Sequence, residues 1–176
     1  MRPSLTRRAL AMLALGLCGC DPALDWREVT LPDTPLHAEL PCRPGRFERT
    51  LRVGGESVKL FMLSCEAEGV TFGLSTAELA DSAKVEPLLS ALLAASREAI
   101  HGQGSTVPWQ PPGSTPFRGN ASAHYSGLRP DGMAVEESIQ VFGRGTRVYE
   151  AIAVGRSLPP AVAEPFREGL FFTAAR

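Results

Sequence analysis

The run RFERTLRVGGESVKLFMLSC, Arg46 to Cys65, decides the fold. On both sides of Gly54-Gly55 apolar residues alternate with polar ones, the period-two pattern of strands with one face on a core. A two-residue hairpin loop needs positive φ in its centre, and a glycine pair supplies it at both positions. With those glycines in the turn, Val53 lies opposite Glu56, Leu51 opposite Val58 and Phe47 opposite Met62. One face then gathers Phe47, Leu51, Val53, Val58, Leu60 and Met62, which makes it the core face.

The same register sets Cys65 opposite Pro44, with Cys42 at the diagonal position on the same face. Diagonal neighbours stand about 7–8 Å apart, slightly beyond disulfide reach unless the strand bulges. Pro44-Gly45 offers that bulge. Two alternatives stand: a Cys42–Cys65 bridge, or two free thiols buried as small hydrophobes. Neither cysteine belongs to a CxxC motif, which disfavours a redox-active or zinc-binding role.

Upstream, Trp26 to Leu31 reads as a short strand, Pro32, Asp33 and Pro35 as a turn, and His37 to Leu40 as a second strand before Pro41. Downstream, Val70 to Thr76 alternates again. Val85, Leu88, Leu89, Leu92, Leu93, Ser96 and Ile100 then recur at helical spacing, so a long helix is expected from Ser82 to His101. Pro87 fits its first turn and Gly102 stops it. Gly102 to Pro116 is a Gly/Pro/Ser-rich loop with room for a short strand. Phe117–Ser126, Met133–Phe142 and Arg147–Gly155 read as a three-stranded meander turning at Arg129–Gly132 and at Arg144-Gly145. In that register Val141 faces Val148, Ile139 faces Glu150, Glu137 faces Ile152 and Val135 faces Val154. A proline-started helix from Pro159 to Phe171 closes the chain. Strands, a central helix, more strands and a last helix predict an α+β layer fold with an antiparallel twisted sheet.

The first residues carry a different signal. Arg2, Arg7 and Arg8 precede a small-and-apolar run from Ala9 to Leu17, followed by Cys18-Gly19-Cys20. A positive start, a short apolar run and a small residue before the cut describe a secretory signal peptide. The run is too short to span a bilayer, which takes about 20 apolar residues. Leu17-Cys18-Gly19-Cys20 resembles a bacterial lipobox, whose last cysteine receives a diacylglyceryl thioether before cleavage at its amino side. That resemblance implies a signal peptide at 1–19, acylation of Cys20 with palmitate-type chains, a lipidated tether at 20–25 and one domain at 26–176. Cys18 is the rival acylation position, disfavoured because bulky Leu17 precedes it. Lipid then holds the domain on the bacterial membrane, facing the periplasm. Asp21 favours the inner membrane under the enterobacterial sorting rule. Export also makes a disulfide chemically allowed.

The remaining chain is long enough to bury a real core. Of 18 basic residues three precede Cys20, and of 19 acidic residues none does, leaving the mature chain at a net charge of −4. An acidic chain without a Lys/Arg cluster argues against nucleic acid as a partner.

The mature chain also resembles, in the order of its elements, the small bacterial envelope proteins of PsbP-like fold, including lipoproteins of the DcrB type. The features that carry it are Trp26 leading a strand, Leu40-Pro41 after the second strand, the hairpin, the central helix, the meander ending Val148-Tyr149-Glu-Ala-Ile-Ala-Val154, and Phe171-Phe172-Thr-Ala-Ala. The resemblance implies a non-catalytic binding or assembly module with an envelope protein partner, and transfers no site residue.

Glu137 and Glu150 stand diagonally on an apolar face in the expected register, and paired carboxylates there can share a proton or hold a cation. An acid–base enzyme or small periplasmic hydrolase using them, with His124 or another polar group, is the alternative function. Arg49 interrupts an apolar face in the same way, so a buried Arg–Glu bridge accounts for these charges structurally. His37, His101 and His124 show no metal-ligand spacing. There is no Gly-x-Ser-x-Gly elbow and no phosphate-binding loop, so no cofactor, metal or catalytic residue is assigned. Asn120-Ala-Ser122 matches a glycosylation sequon that a bacterial lipoprotein leaves unused. Trp109, stiffened by Pro108, Pro111 and Pro112, is either a partner contact or a cap on the sheet or helix.

Overall fold

The hairpin forms in the expected register. In the computed structural model, which describes residues 24–53 and 56–173, β3 (Gly45–Val53) pairs antiparallel with β4 (Glu56–Ala67), setting Val53 opposite Glu56 and Phe47 opposite Met62. The Gly54-Gly55 turn and everything before residue 24, including Cys20, Asp21 and the start of the tether, lie outside the described residues.

β5 (Val70–Glu78), β6 (Gln103–Pro108), β7 (Ala121–Leu128), β8 (Ala134–Arg144) and β9 (Arg147–Gly155) complete a seven-stranded antiparallel sheet in the order β3-β4-β5-β9-β8-β7-β6. A smaller sheet joins β1 (Arg27–Val29), β2 (Leu36–Leu40) and β10 (Phe171–Phe172) in the order β1-β2-β10. Two α-helices, α1 (Val85–Ala99) and α2 (Pro160–Glu168), and a 3₁₀ turn at Ser82–Lys84 that leads into α1 complete the elements among the described residues. The chain is therefore α+β and dominated by antiparallel sheet.

Both faces of the large sheet are covered, giving three layers. On one face α1 lays Val85, Leu88, Leu89 and Leu92 against Val58, Leu60, Ile139, Val141 and Val148. On the other, the small sheet and α2 bring Leu36, Leu40, Phe166, Leu170 and Phe172 onto Leu63, Phe72, Leu74, Phe142, Tyr149 and Ala151. Strands buried on both sides lose clean alternation, as β5 shows with buried residues from Phe72 to Ala77.

Four local expectations are corrected, and the short strand allowed for in Gly102–Pro116 is found. Phe47 is 55% exposed: α1 packs on β8 and β9, several strands away, so the apolar face of outer strand β3 runs past its cover. The loop Gly102–Pro116 contains a full edge strand, β6. The closing helix stops at Glu168, because Phe171 and Phe172 pair with His37 and Leu36 instead. In α1, the left-handed stop residue is His101 (φ 50°) rather than Gly102; Gly102 is closely packed, since a Cβ there would stand 3.0 Å from Tyr125 Cβ.

The fourth concerns the last turn. Arg144 pairs with Arg147, leaving Gly145-Thr146 as the loop, with Gly145 at φ 60°. A two-residue turn with positive φ at its first central position takes glycine there, and the expected register would have put Arg144 in that place. Pairing shifts by two residues: Val141 lies opposite Glu150, Ile139 opposite Ile152 and Glu137 opposite Val154. A two-residue shift keeps every side chain on its face and changes its neighbours.

Candidate functional site

Cys42 and Cys65 are joined, with Cα atoms 5.9 Å apart. The chain leaves strand geometry between Leu40 and Gly45, which brings Cys42 in from the diagonal distance that a regular ladder would impose. The bond ties the end of β2 in the small sheet to β4 in the large one.

Glu137 and Glu150 occupy the α1 face, with the Ile139–Ile152 pair between them along the ladder. Glu137 is 3% exposed and accepts a hydrogen bond from the Ser96 hydroxyl of α1. Burial pushes its carboxyl above the usual range; the Ser96 bond opposes this, and the charge of Glu150 adds to it. Glu150 accepts from Ser75 Oγ at 3.1 Å. Its carboxyl is raised by burial too, against the Ser75 bond and the attraction of Arg49. Arg49 acts at range: the ion pairs seen among the described residues do not include it. Serine hydroxyls therefore do the work expected of a buried Arg–Glu bridge. The space beside Glu150, about 10 Å³, holds at most one water. His124 lies on the opposite face of the sheet, so the fold does not bring it to either carboxylate.

The opposite face contains the site that the sequence reading passed over. There the small sheet and α2 cover β4, β5, β9 and Phe142 of β8, and the rest of the β6–β8 face is largely polar. Ser105, His124 and Ser138 form one cross-strand row, and Val107, Ser122 and Gln140 the next. All of these but Gln140, with Glu136 and Leu158, and with Pro160, Ala163, Glu164 and Arg167 of α2 as a wall, frame a groove of about 390 Å³. Those α2 residues recur at i, i+3, i+4 and i+7, one helix face.

Gln140 lies beside this groove, next to Ser122 in the same row, and is 1% exposed. Its Nε2 donates to Ser122 Oγ at 3.1 Å and Ser138 Oγ at 3.0 Å, while its Oε1 is buried without a partner. Glu136 Oε2 accepts from the Leu158 backbone N–H at 2.7 Å, fixing the entry to α2. The signal in the sequence was the alternation Ser122, His124 and then Glu136, Ser138, Gln140, which reads as an ordinary solvent face. That Gln140 is buried could not be read from it.

Trp109 is half-buried, its ring edge-on to Phe142 at 5.9 Å between centroids, where it caps the core under the small sheet. Asn120 is 3% exposed and clamps the loop before β7: its Nδ2 donates to Gln110 Oε1 and Thr115 O, and its Oδ1 accepts from Gly143 N. The sequon is thus turned inward. Among the described residues no group of three or more His, Cys, Asp or Glu side chains is placed to hold a metal ion, and no helix is long and apolar enough to cross a membrane. No protein-family model matches the chain, and no curated protein matches it.

Proposed function

We propose that the chain is an exported bacterial lipoprotein whose folded domain is a binding or assembly module, held by lipid on Cys20 and facing the periplasm. The Cys42–Cys65 disulfide carries this reading. Disulfides persist in oxidising compartments, so a bonded pair in the domain agrees with the export signal read independently at residues 1–19. Asp21 favours the inner membrane. The layered arrangement agrees with the PsbP-like pattern, in which α1 is the long central helix. An envelope protein is the partner class that this pattern implies.

The acid–base alternative gains little from the geometry, since Glu137 and Glu150 are sealed under α1 and hydrogen-bonded to serines. The test is fractionation of expressing cells. The protein should sediment with membranes and enter the detergent phase, and Cys20→Ala should move it to the soluble fraction with its disulfide intact. A wild-type protein found soluble in the cytoplasm with free thiols would remove the proposal.

A further inference from the structure

We infer that the groove between the β6–β8 face and α2 binds a free amino acid or a free dipeptide bearing a small aliphatic side chain. This rests on the binding-module reading and adds to it a site and a ligand class. At about 390 Å³ the groove lies near the lower end of small-molecule sites, roughly 300–1,000 Å³.

The donors are held from the side by Gln140, on the same sheet face. Both protons of the Gln140 amide go to the Ser122 and Ser138 oxygens. Each of those hydroxyls accepts from Gln140 and keeps its own proton to donate. Both serines line the groove, so its floor offers two O–H donors held by a buried residue. A polar residue 1% exposed, with one oxygen unpartnered, is costly to keep in a sheet, and holding those donors is what it does there.

Arg167, on the helix wall, adds a guanidinium to the lining of the same groove, its ion pair with Glu168 a long 3.6 Å. Two hydroxyls and a guanidinium suit a carboxylate. The groove also carries Glu164 and Glu136, the second with one oxygen committed to Leu158 N–H. Two carboxylates against one arginine disfavour phosphates and other multiply charged anions, and give an ammonium group its counter-charge. Val107, Leu158, Pro160 and Ala163 supply an apolar wall that suits a small aliphatic side chain. Carboxylate, ammonium and aliphatic group together define a free amino acid or a dipeptide with both ends unblocked.

The test is calorimetric titration of the full-length protein with L-alanyl-L-alanine, with its N-acetylated, C-amidated form, and with maltose as a neutral polyol. The free dipeptide should bind saturably, and the blocked form at least about tenfold more weakly. Arg167→Ala and the pair Ser122→Ala/Ser138→Ala should each weaken the free dipeptide about tenfold or more, the scale of losing hydrogen bonds to a charged group. Arg167 lies on the helix surface, so its variant reports on the groove even if the serine pair unfolds. No saturable heat up to about 10 mM dipeptide, equal binding of the blocked form, an Arg167→Ala variant that binds normally, or saturation by maltose instead would each overturn the inference. An unlipidated Cys20 would refute the anchoring proposal and leave this titration unaffected.

Discussion

Reducing the Cys42–Cys65 bond isolates one covalent contribution to the fold. The cysteines are 23 positions apart in sequence, and the chain-entropy relation for a loop of that size gives about 3.4 kcal/mol at 25 °C. For a domain of this length each kcal/mol moves Tm by roughly 2–4 °C, so the expected fall is about 7–14 °C. Reduction is the cleaner perturbation because it leaves both side chains in place, and a Cys42→Ala/Cys65→Ala pair should agree with it apart from the lost packing. The assay is urea denaturation with and without reductant, followed by tryptophan fluorescence. Trp26 and Trp109 both pack against the core that the small sheet covers, so the signal reports the layer that the bond ties down. The midpoint should fall, and any change in slope would show that the unfolded state expanded. A loss under about 1 kcal/mol at constant slope would refute the reasoning, because it would mean that the small sheet is held by its apolar contacts alone.

Further expectations follow from single residues. Ser96→Ala should cost more at high pH, where loss of a hydrogen bond to an ionised Glu137 is worth about 1.5–3 kcal/mol, than at low pH, where the carboxyl is protonated; denaturation across the pH range checks it. The carboxyls of Glu137 and Glu150 are raised in the folded state, so the fold binds these protons more tightly than the unfolded chain does. Their favourable contribution is complete below the unfolded pKa and is lost as pH rises through the folded one. Glu137→Gln should therefore stabilise the protein at pH 8 and make little difference at pH 4, and a gain of the same size at both would contradict the assignment. Leu89→Ala, at a position 0% exposed beneath α1, should cost about 2–5 kcal/mol in a urea melt. Gly145→Ala meets nothing within 4 Å, so its expected loss of about 1 kcal/mol measures only the positive φ of the turn.

What could be read from the chain was what is local. The β3–β4 register follows from alternation around Gly54-Gly55, and the apolar stripe of α1 from helical spacing. The β8–β9 turn was misplaced by one position because Arg144-Gly145 and Gly145-Thr146 both contain the glycine, and only its φ decides between them. Phe171-Phe172 continues an apolar periodicity that suits a helix, and its pairing with β2 depends on a strand more than 130 residues away in sequence. Glu137 and Glu150 stood out because charge on an apolar face is visible in a pattern. Their serine partners did not, since a hydroxyl in an apolar stripe fits any surface. The groove was hidden for a related reason. Polar alternation marks a wet face, and only the packing of α2 turns part of that face into a recess with a buried glutamine beside it.

The central claim is that export and lipid attachment at Cys20 set where this domain works. The most direct measurement is the mass of the N-terminal peptide of the protein isolated from expressing bacterial cells. The account predicts a chain beginning at Cys20 and carrying a diacylglyceryl group, with residues 1–19 absent. An N-terminal peptide that still begins at Met1, or one that begins at Cys20 without lipid, would contradict it.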